Sequence, residues 1–430
     1  MPTSPKATND PANDPANEQQ RSPLAAMAGD LPQSGDLTPL LARRRVLVVV
    51  GSGGVGKTTV SATLALCGAL LLGKKTLVLT IDPARRLADS LGIRALGHDI
   101  QEVPRALLEE VAARRGITVP PQREGGRGSL AAMMLDQKRA FDEVVARYAR
   151  EPAVRERIFK NPIYQQISAT LAGSHEYAAM AKLYELSRET DYDLIVLDTP
   201  PTENALDFLD APEKVSQAVD SPAIQWLMKP YLSTGTFSLK LLGLGSGLIL
   251  RSLARFTGSE FLGHMAQFFV EFNTVLKGFR ERADEVFSLM RHPDAAFVLC
   301  SSAEPQTVAD GLSFQRRLLD ARMAIGGFVV NRLHAEGPEA PSLESVRERL
   351  GRELRGFLPD DLDRFAGDLW QNYRDLQVLA RADAAQVAEV RKSLPSPTTP
   401  LCVVPIFEHD VYGAEGLALV SRYLCGYDAR

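Results

Sequence analysis

Short runs of apolar, mostly β-branched residues recur along the chain, and longer stretches with helical spacing separate them. The first run, Val46–Val50, contains no polar residue, which is typical of a strand buried on both faces. Similar runs lie at 76–81, 194–197, 296–300, 328–330 and 401–404. Strands that alternate with helices favour a parallel sheet with helices on both faces. The pattern therefore predicts an α/β fold built on a doubly wound, mostly parallel sheet.

Two intervals between these runs are too long for simple crossover connections. Residues 100–190 and 211–292 each contain several helical patterns, and we interpret both as helical insertions that project from the core. A third segment, 342–392, is strongly charged and predicts a solvated helical hairpin or the edge of a helical bundle. Residues 1–44 are rich in Pro, Asn, Asp and Ser, which predicts a disordered tail. The remaining residues, 45–430, are predicted to form one domain.

Composition and charge narrow the functional classes. The net charge of -4 argues against a protein that binds nucleic acid through bulk charge. Four cysteines are scattered without a C-x-x-C pair, which fits a reducing cytoplasm better than a disulfide framework or a zinc site. No apolar run reaches the roughly 18 residues that a membrane span requires, so we expect no stable membrane insertion.

A glycine-rich segment directly follows the first predicted strand and directly precedes a helical pattern. Its sequence, GSGGVGKT, satisfies G-x-x-x-x-G-K-[ST], and the strand–loop–helix context separates a true P-loop from a chance match. In such a loop backbone N–H groups cradle phosphates, the lysine reaches the β- and γ-phosphates, and the threonine hydroxyl binds Mg2+. The sequence therefore predicts ATP and Mg2+ as cofactors. The predicted contacts are Gly51, Ser52, Gly53, Gly54, Val55, Gly56, Lys57, Thr58 and Thr59.

Two aspartates lie at the ends of predicted strands. Asp198 follows the run 194–197, where a carboxylate is placed to hold Mg2+ or its water. Asp82 follows the run 76–81, at the sheet edge where ligands bind in open α/β folds. Either residue could instead cap a helix or form a turn. The predicted metal ligands are Thr58, Asp82 and Asp198.

Together these motifs resemble the ArsA-type ATPases, a family that includes the arsenite-pump ATPase and the factor that targets tail-anchored membrane proteins. The segments that carry the resemblance are GSGGVGKTT at 51–59, TIDPARRL at 80–87 and DTPPTENAL at 198–206, supported by Asn331 and by Pro405 to Phe407. The segments NPIY at 161–164 and GSHEY at 173–177 resemble the bacterial branch.

The resemblance implies a nucleotide-driven switch. Asp82 would orient or deprotonate the attacking water, so Asp82 and Lys57 are the predicted catalytic residues. Asn331, Pro405 and Phe407 would contact adenine. The family works as dimers that close over ATP and open after hydrolysis, which implies a homodimer or a paralogue heterodimer here. A hydrophobic or membrane-protein client is the implied partner.

The sequence departs from the family pattern in three respects. Ser52 stands where relatives carry a lysine that reaches the partner's phosphates, so hydrolysis is expected to be slow or to use another cation such as Arg85 or Arg86. Glu203 and Asn204 replace a Gly-His pair in the second switch segment. The C-x-x-C pair that brings zinc to the dimer of the eukaryotic relatives is absent from the sequence.

Several functions remain open on this basis. An arsenite pump is not favoured, because the cysteines are scattered and the chain holds one copy of the unit. Apolar stretches at 224–228, 237–250 and 261–272 suit either a client groove or an ordinary helical core. A MinD/ParA-like positioning ATPase is an alternative. So is a nucleotide-gated scaffold with negligible turnover.

Overall fold

A computed structural model describes residues 31–81, 86–119, 128–149, 151–170, 174–200, 259–354 and 358–426. Its strands are β1 (Val46–Val50), β2 (Lys75–Thr80), β3 (Gln101–Glu102), β4 (Ser129–Met134), β5 (Leu194–Asp198), β6 (Ala295–Ser302), β7 (Ile325–Leu333) and β8 (Leu401–Pro405). Its helices are α1 (Thr38–Arg43), α2 (Lys57–Leu72), α3 (Arg86–Ser90), α4 (Arg105–Arg115), α5 (Gln137–Tyr148), α6 (Pro152–Lys160), α7 (Pro162–Thr170), α8 (Ser174–Glu189), α9 (Ser259–Arg291), α10 (Pro305–Asp320), α11 (Leu343–Glu353), α12 (Pro359–Ser393) and α13 (Gly413–Leu424).

The strands form one eight-stranded sheet in the order β3-β4-β2-β5-β1-β6-β7-β8. All neighbouring strands pair in parallel except β3 and β4, which are antiparallel. Every residue of the central strand β1 is buried, as the uninterrupted apolar run predicted. The chain therefore has the predicted α/β fold with a mostly parallel, doubly wound sheet.

Part of the first predicted helical insertion belongs to the sheet. Strand β4 pairs with β2 from Lys75 opposite Ser129 to Thr80 opposite Met134, and β3 adds a short antiparallel edge. The interpretation of 100–190 as a helical insertion is wrong for these two strands. The sequence of β4, SLAAMM, contains no β-branched residue, so its strand conformation depends on pairing with β2 rather than on local preference.

The ordered chain begins earlier than predicted. Helix α1 lies within the segment predicted to be disordered, and Leu37 and Leu41 are fully buried. The segment before it joins the edge of the sheet, since the Gly35 N–H donates to the Leu401 carbonyl at 2.7 Å. These tertiary contacts offset the ordering entropy that the local composition alone cannot offset. The prediction is therefore wrong for residues 34–43, while residues 1–30 lie outside the described residues.

The helices α5 to α9 carry a small core of their own, separate from the two cores on the faces of the sheet. The rings of Phe268 and Phe272 on α9 stack at 4.9 Å between centroids, and both side chains are buried. Phe141 of α5 and Tyr164 of α7 extend this aromatic cluster. Phe268 and Phe272, from the apolar stretch 261–272, therefore pack in a helical core. Residues 201–258, including the apolar stretches 224–228 and 237–250, lie outside the described residues.

The charged segment before the last strand forms the helices α11 and α12. Arg347 on α11 pairs with Asp363 on α12 at 3.2 Å, and the Trp370 indole N–H donates to the Pro341 carbonyl at 2.8 Å. The segment 342–392 is mostly helical in the structure, with α12 alone extending over 35 residues. Across the ranges that the structure describes, no helix is both long enough and apolar enough to cross a membrane.

Candidate nucleotide-binding site

The glycine-rich loop connects the central strand β1 to helix α2, as its sequence context predicted. At Gly51 an added Cβ would lie 1.9 Å from the Cys300 carbonyl oxygen, so only glycine fits where the loop passes β6. Gly56 adopts φ +93°, a left-handed conformation that side chains disfavour. A Cβ there would also lie 2.3 Å from Nδ2 of Asn331. The two glycines let the backbone turn tightly between strand and helix.

Lys57 is the first residue of α2, and its side chain folds back over the loop. Its Nζ donates to the carbonyl oxygens of Gly51 at 2.9 Å and of Ser52 at 2.8 Å. The residue is only 6% exposed. These two carbonyls hold a buried ammonium at the mouth of the loop, where the amino end of α2 adds a further positive potential. The arrangement suits a ligand with several negative charges.

A cluster of hydroxyl groups surrounds the carboxylate of Asp198. Oγ1 of Thr58 donates to Asp198 Oδ2 at 2.8 Å, and Oγ1 of Thr80 donates to the same oxygen at 2.9 Å. Ser61 contacts Oδ1 at 3.4 Å. Asp198 is fully buried, so these hydrogen bonds replace the water that an exposed carboxylate would bind.

Sheet register explains why this cluster forms. Asp198 lies opposite Val49 of β1 and opposite Thr80 of β2, at the carboxyl ends of all three strands. The next residue, Thr199, donates its hydroxyl to the Val49 carbonyl at 2.8 Å and fixes the start of the following loop. The predicted placement of Asp198 at a strand end is therefore observed. Thr80 was not predicted as a partner, because only the β2–β5 pairing reveals it.

A pocket of 870 Å³ opens beside the loop. Its wall includes five of the predicted loop contacts together with all three residues expected at adenine. Other lining residues were not predicted, because they follow strands and helices that are distant in sequence and meet only in the fold. The predicted lining residues are Gly54, Gly56, Lys57, Thr58, Thr59, Asn331, Pro405 and Phe407; the additional ones include Arg86, Asp89, Ser90, Thr199, Arg332, His409, Asp410 and Tyr412.

Asn331 lies between the pocket and the glycine-rich loop. Its Nδ2 donates to the Val55 carbonyl at 2.9 Å, and its Oδ1 accepts from the Arg332 N–H at 3.0 Å. Arg332 has φ +62°, a left-handed conformation uncommon for a residue with a side chain. Both hydrogen bonds of the Asn331 amide are thus made to backbone, and one of them positions the P-loop itself.

Ser52 is tied to helix α10 rather than left exposed on its loop. Its hydroxyl donates to Oδ2 of Asp310 at 3.0 Å, and Oδ1 of Asp310 accepts from Gln306 at 2.9 Å. A carboxylate therefore stands beside the position where relatives are expected to carry a lysine. Asp82 and Arg85 of the first switch segment, and Glu203 and Asn204 of the second, lie outside the described residues.

The four cysteines are all buried, unpaired thiols. The Cys300 thiol donates to the Val55 carbonyl at 3.5 Å and packs beneath the loop. Burial raises the pKa of Cys300 to about 12, and burial likewise raises the pKa of Cys402 to about 12. Such groups are neutral thiols at physiological pH, whereas soft metal ions bind thiolates.

The donors at the loop suit Mg2+ held together with phosphate oxygens. Mg2+ prefers oxygen ligands, keeps several waters and takes only one or two carboxylates from the protein. The hydroxyl of Thr58 and the carboxylate of Asp198 match that donor set. Among the described residues no group of three or more His, Cys, Asp or Glu side chains gathers into a metal-binding cluster.

Comparison with known proteins places this site in a family. Residues 44–350 match the family model described as anion-transporting ATPase. The chain is 24% identical to ATPase GET3 of Kluyveromyces lactis over 74% of its own length and 82% of that protein. It is 28% identical to ATPase get3 of Schizosaccharomyces pombe over 44% of this chain and 50% of that one.

A third relative, described as an arsenical pump-driving ATPase, comes from Halobacterium salinarum. It is 31% identical over 39% of this chain and 24% of its own length. The matches to this protein and to the Schizosaccharomyces pombe protein thus span half or less of those relatives. The family model nevertheless covers most of the chain, including the loop and Asp198. The chain belongs to the ArsA-type family of ATPases.

Proposed function

We propose that this protein binds Mg–ATP at the loop Gly51 to Thr58 and hydrolyses it to ADP and phosphate. The observation that carries the proposal is the contact of Thr58 with Asp198 at 2.8 Å beside the buried ammonium of Lys57. That arrangement supplies a divalent-cation site next to a phosphate-binding loop. The adjoining pocket of 870 Å³ has room for a nucleotide.

Each residue would have a separate task. The Lys57 ammonium would exchange its carbonyl partners for β- and γ-phosphate oxygens, neutralising charge on the transferred group. Thr58 and Asp198 would hold Mg2+, which supplies electrostatic stabilisation of the phosphates when bound. Asp82 would orient the attacking water, a role that rests on the family resemblance. Asn331, Pro405 and Phe407 would surround the adenine.

The proposed rate of hydrolysis is low. Removing one preorganised positive group from a phosphoryl-transfer site costs about 10²- to 10³-fold in rate, by analogy with lost oxyanion donors. Ser52 cannot supply that charge, and its hydroxyl is engaged by Asp310. Of Arg85 and Arg86, only Arg86 lies among the described residues, and it lines the same pocket.

The nucleotide cycle is proposed to control binding of a hydrophobic client or membrane-protein partner by a dimer. Two of the relatives are named GET3 ATPases, and one is described as an arsenical pump-driving ATPase. The helical core of α5 to α9 supports a separate helical unit that could carry such a site. The pump role is not proposed, because all four thiols are buried and burial raises the pKa of Cys300 and of Cys402. The proposed compartment is the reducing cytoplasm, where free thiols persist.

Phosphate release tests the catalytic part of this proposal. The parent protein should release phosphate from ATP with Mg2+ and stop when EDTA is added, and Thr58→Ala should raise the Mg2+ concentration needed for half-maximal turnover. If the parent binds ATP but releases no phosphate, the nucleotide-gated scaffold becomes the favoured function. The client proposal predicts that the purified protein forms a complex with a hydrophobic transmembrane segment. Failure to form that complex, both with and without ATP, would contradict this part of the proposal.

A further inference from the structure

Helix α12 carries two apolar stripes, and one of them is exposed. The buried stripe consists largely of small side chains that face the protein, namely Ala366, Ala380, Val387 and Val390. The exposed stripe consists of large side chains. An amphipathic helix usually turns its large apolar residues to the core and leaves polar residues outside. Exposed large residues in a row therefore indicate a surface that another molecule covers. The exposed residues are Leu358 (69%), Phe365 (47%), Leu369 (45%), Leu376 (40%) and Leu379 (49%).

The exposed stripe has the spacing of a coiled-coil seam. Steps of four and three residues alternate along it, through the half-buried Leu362 and through one polar position, Asn372. An average of 3.5 residues between seam positions keeps a stripe facing one partner helix, and a single asparagine in such a seam fixes register. From Leu358 to Leu379 the seam extends about 30 Å at 1.5 Å per residue. We call these seven positions the α12 seam.

The α12 seam continues into the protein core at one end. Seven-residue steps from Leu369 lead through Leu376 and Asp383 to Val390, which is fully buried. The exposed part of the seam ends before Asp383. This residue accepts hydrogen bonds from the His334 N–H and from the His334 ring, both at 2.9 Å. The seam is thus an outward extension of a packing surface that the protein already uses.

Acidic side chains follow one side of the seam. Asp361, Asp368 and Asp375 are exposed and recur every seven residues, directly beside the apolar positions. Arg364 pairs with Asp361 at 2.9 Å on the helix surface, where solvent weakens the contact. In an antiparallel pairing of two copies these aspartates would face one another, and like charges at such positions oppose association. A row of Lys or Arg on the other helix would pair with them instead.

We propose that the α12 seam binds an amphipathic helix of a partner protein, with an apolar seam of its own and a flanking row of Lys or Arg. The charge pattern favours this occupant over an antiparallel second copy of the chain. No residue of the α12 seam lines the nucleotide pocket, so the inference is independent of the proposed ATPase function. The geometry assigns the basic row to the side of α12 that carries Asp361, Asp368 and Asp375.

A synthetic peptide probe tests this inference on the full-length protein. The probe is a fluorescein-labelled helix of about four heptads, with leucine at the seam, one asparagine opposite Asn372 and a row of lysines beside it. Its binding is followed by fluorescence anisotropy. We expect binding that weakens with added salt, and no binding of a control peptide whose lysines are replaced by glutamates.

Matched variants distinguish peptide binding at the α12 seam from nonspecific hydrophobic binding. Phe365→Glu should weaken peptide binding by about tenfold or more, because it removes a central apolar contact. Val378→Glu makes the same kind of change at a residue that is 64% exposed but lies off the seam, and it should leave affinity unaltered. Asp368→Lys should weaken the lysine peptide and strengthen the glutamate peptide.

Three outcomes would overturn the inference. The first is equal binding of the peptide to the parent and to Phe365→Glu, with both proteins folded by circular dichroism. The second is failure of the parent to bind the lysine peptide at low salt. The third is reversible self-association of the parent that Phe365→Glu abolishes in sedimentation velocity, since that result assigns the seam to a second copy.

Discussion

Thr58 and Asp198 are 140 residues apart in sequence, and the Thr58 hydroxyl donates to the Asp198 carboxylate at 2.8 Å. The contact joins the first turn of α2 to the end of β5. It brings together a hydroxyl and a carboxylate, the donor types that hold Mg2+ in P-loop proteins. The predictions below follow from this contact and from its neighbours.

Asp82→Asn is expected to keep ATP affinity but to lose turnover. An amide is nearly the same size as a carboxylate but cannot accept a proton from the attacking water. Phosphate release and nucleotide affinity should be measured on the same preparation. Equal turnover in Asp82→Asn and the parent would remove Asp82 from the catalytic role.

Ser52→Lys alone is expected to raise hydrolysis little, because the new ammonium would pair with Asp310 of the same protomer. The Ser52 hydroxyl already contacts that carboxylate at 3.0 Å. The double variant Ser52→Lys with Asp310→Asn should free the ammonium and raise turnover by about tenfold or more. Asp310→Asn by itself serves as the control and should not raise it. A single Ser52→Lys variant as fast as the double variant would contradict this account of Asp310.

Gly51→Ala is expected to destabilise the protein by about 3 kcal/mol, as overpacking of a rigid site does. Its Cβ would lie 1.9 Å from the Cys300 carbonyl oxygen, which belongs to a buried strand. Gly54→Ala is the matched control: its Cβ meets open space, and its φ of +76° costs only about 1 kcal/mol. Urea unfolding of both variants checks the difference, and equal losses would mean that the loop moves away from β6 at little cost.

The stability of the protein is expected to fall on acidification, in part through Glu143. Burial alone would raise the pKa of Glu143, but Lys182 and His98 nearby outweigh burial and lower it below 4.5. A lowered pKa means that this carboxylate stabilises the fold above its unfolded pKa and loses that contribution as the pH falls through its folded value. Glu143→Gln should therefore flatten the acid limb of a stability–pH profile. An unchanged limb would mean that Glu143 contributes nothing to acid unfolding.

Local sequence predicted most of the sheet and the phosphate loop. Runs such as Val46–Val50 are short, apolar and mostly β-branched, which favours a buried strand, and the P-loop is a contiguous motif. Strand β4 could not be predicted, because SLAAMM favours a strand only when it is paired with β2. Helix α1 was missed because Leu37 and Leu41 are stabilised by residues far along the chain.

The residues of the candidate site also fall into two groups, those that local sequence predicts and those whose role depends on the fold. Lys57, Thr58 and Asp198 were predictable because each belongs to a motif or to the end of an apolar run. The role of Thr80 depends on strand register, and the role of Asp310 depends on α10 packing near the loop. Contacts of this kind between distant segments leave no signal in a single sequence.

Titration of ATP by calorimetry in the presence of Mg2+ tests the central claim most directly. The parent should bind with one site per chain, and Lys57→Ala should show no measurable binding while its circular dichroism and unfolding midpoint stay close to those of the parent. The reason is that the Lys57 ammonium is the buried positive charge at the mouth of the loop. A folded Lys57→Ala variant that binds ATP within severalfold of the parent would contradict the assignment of this loop as the nucleotide site.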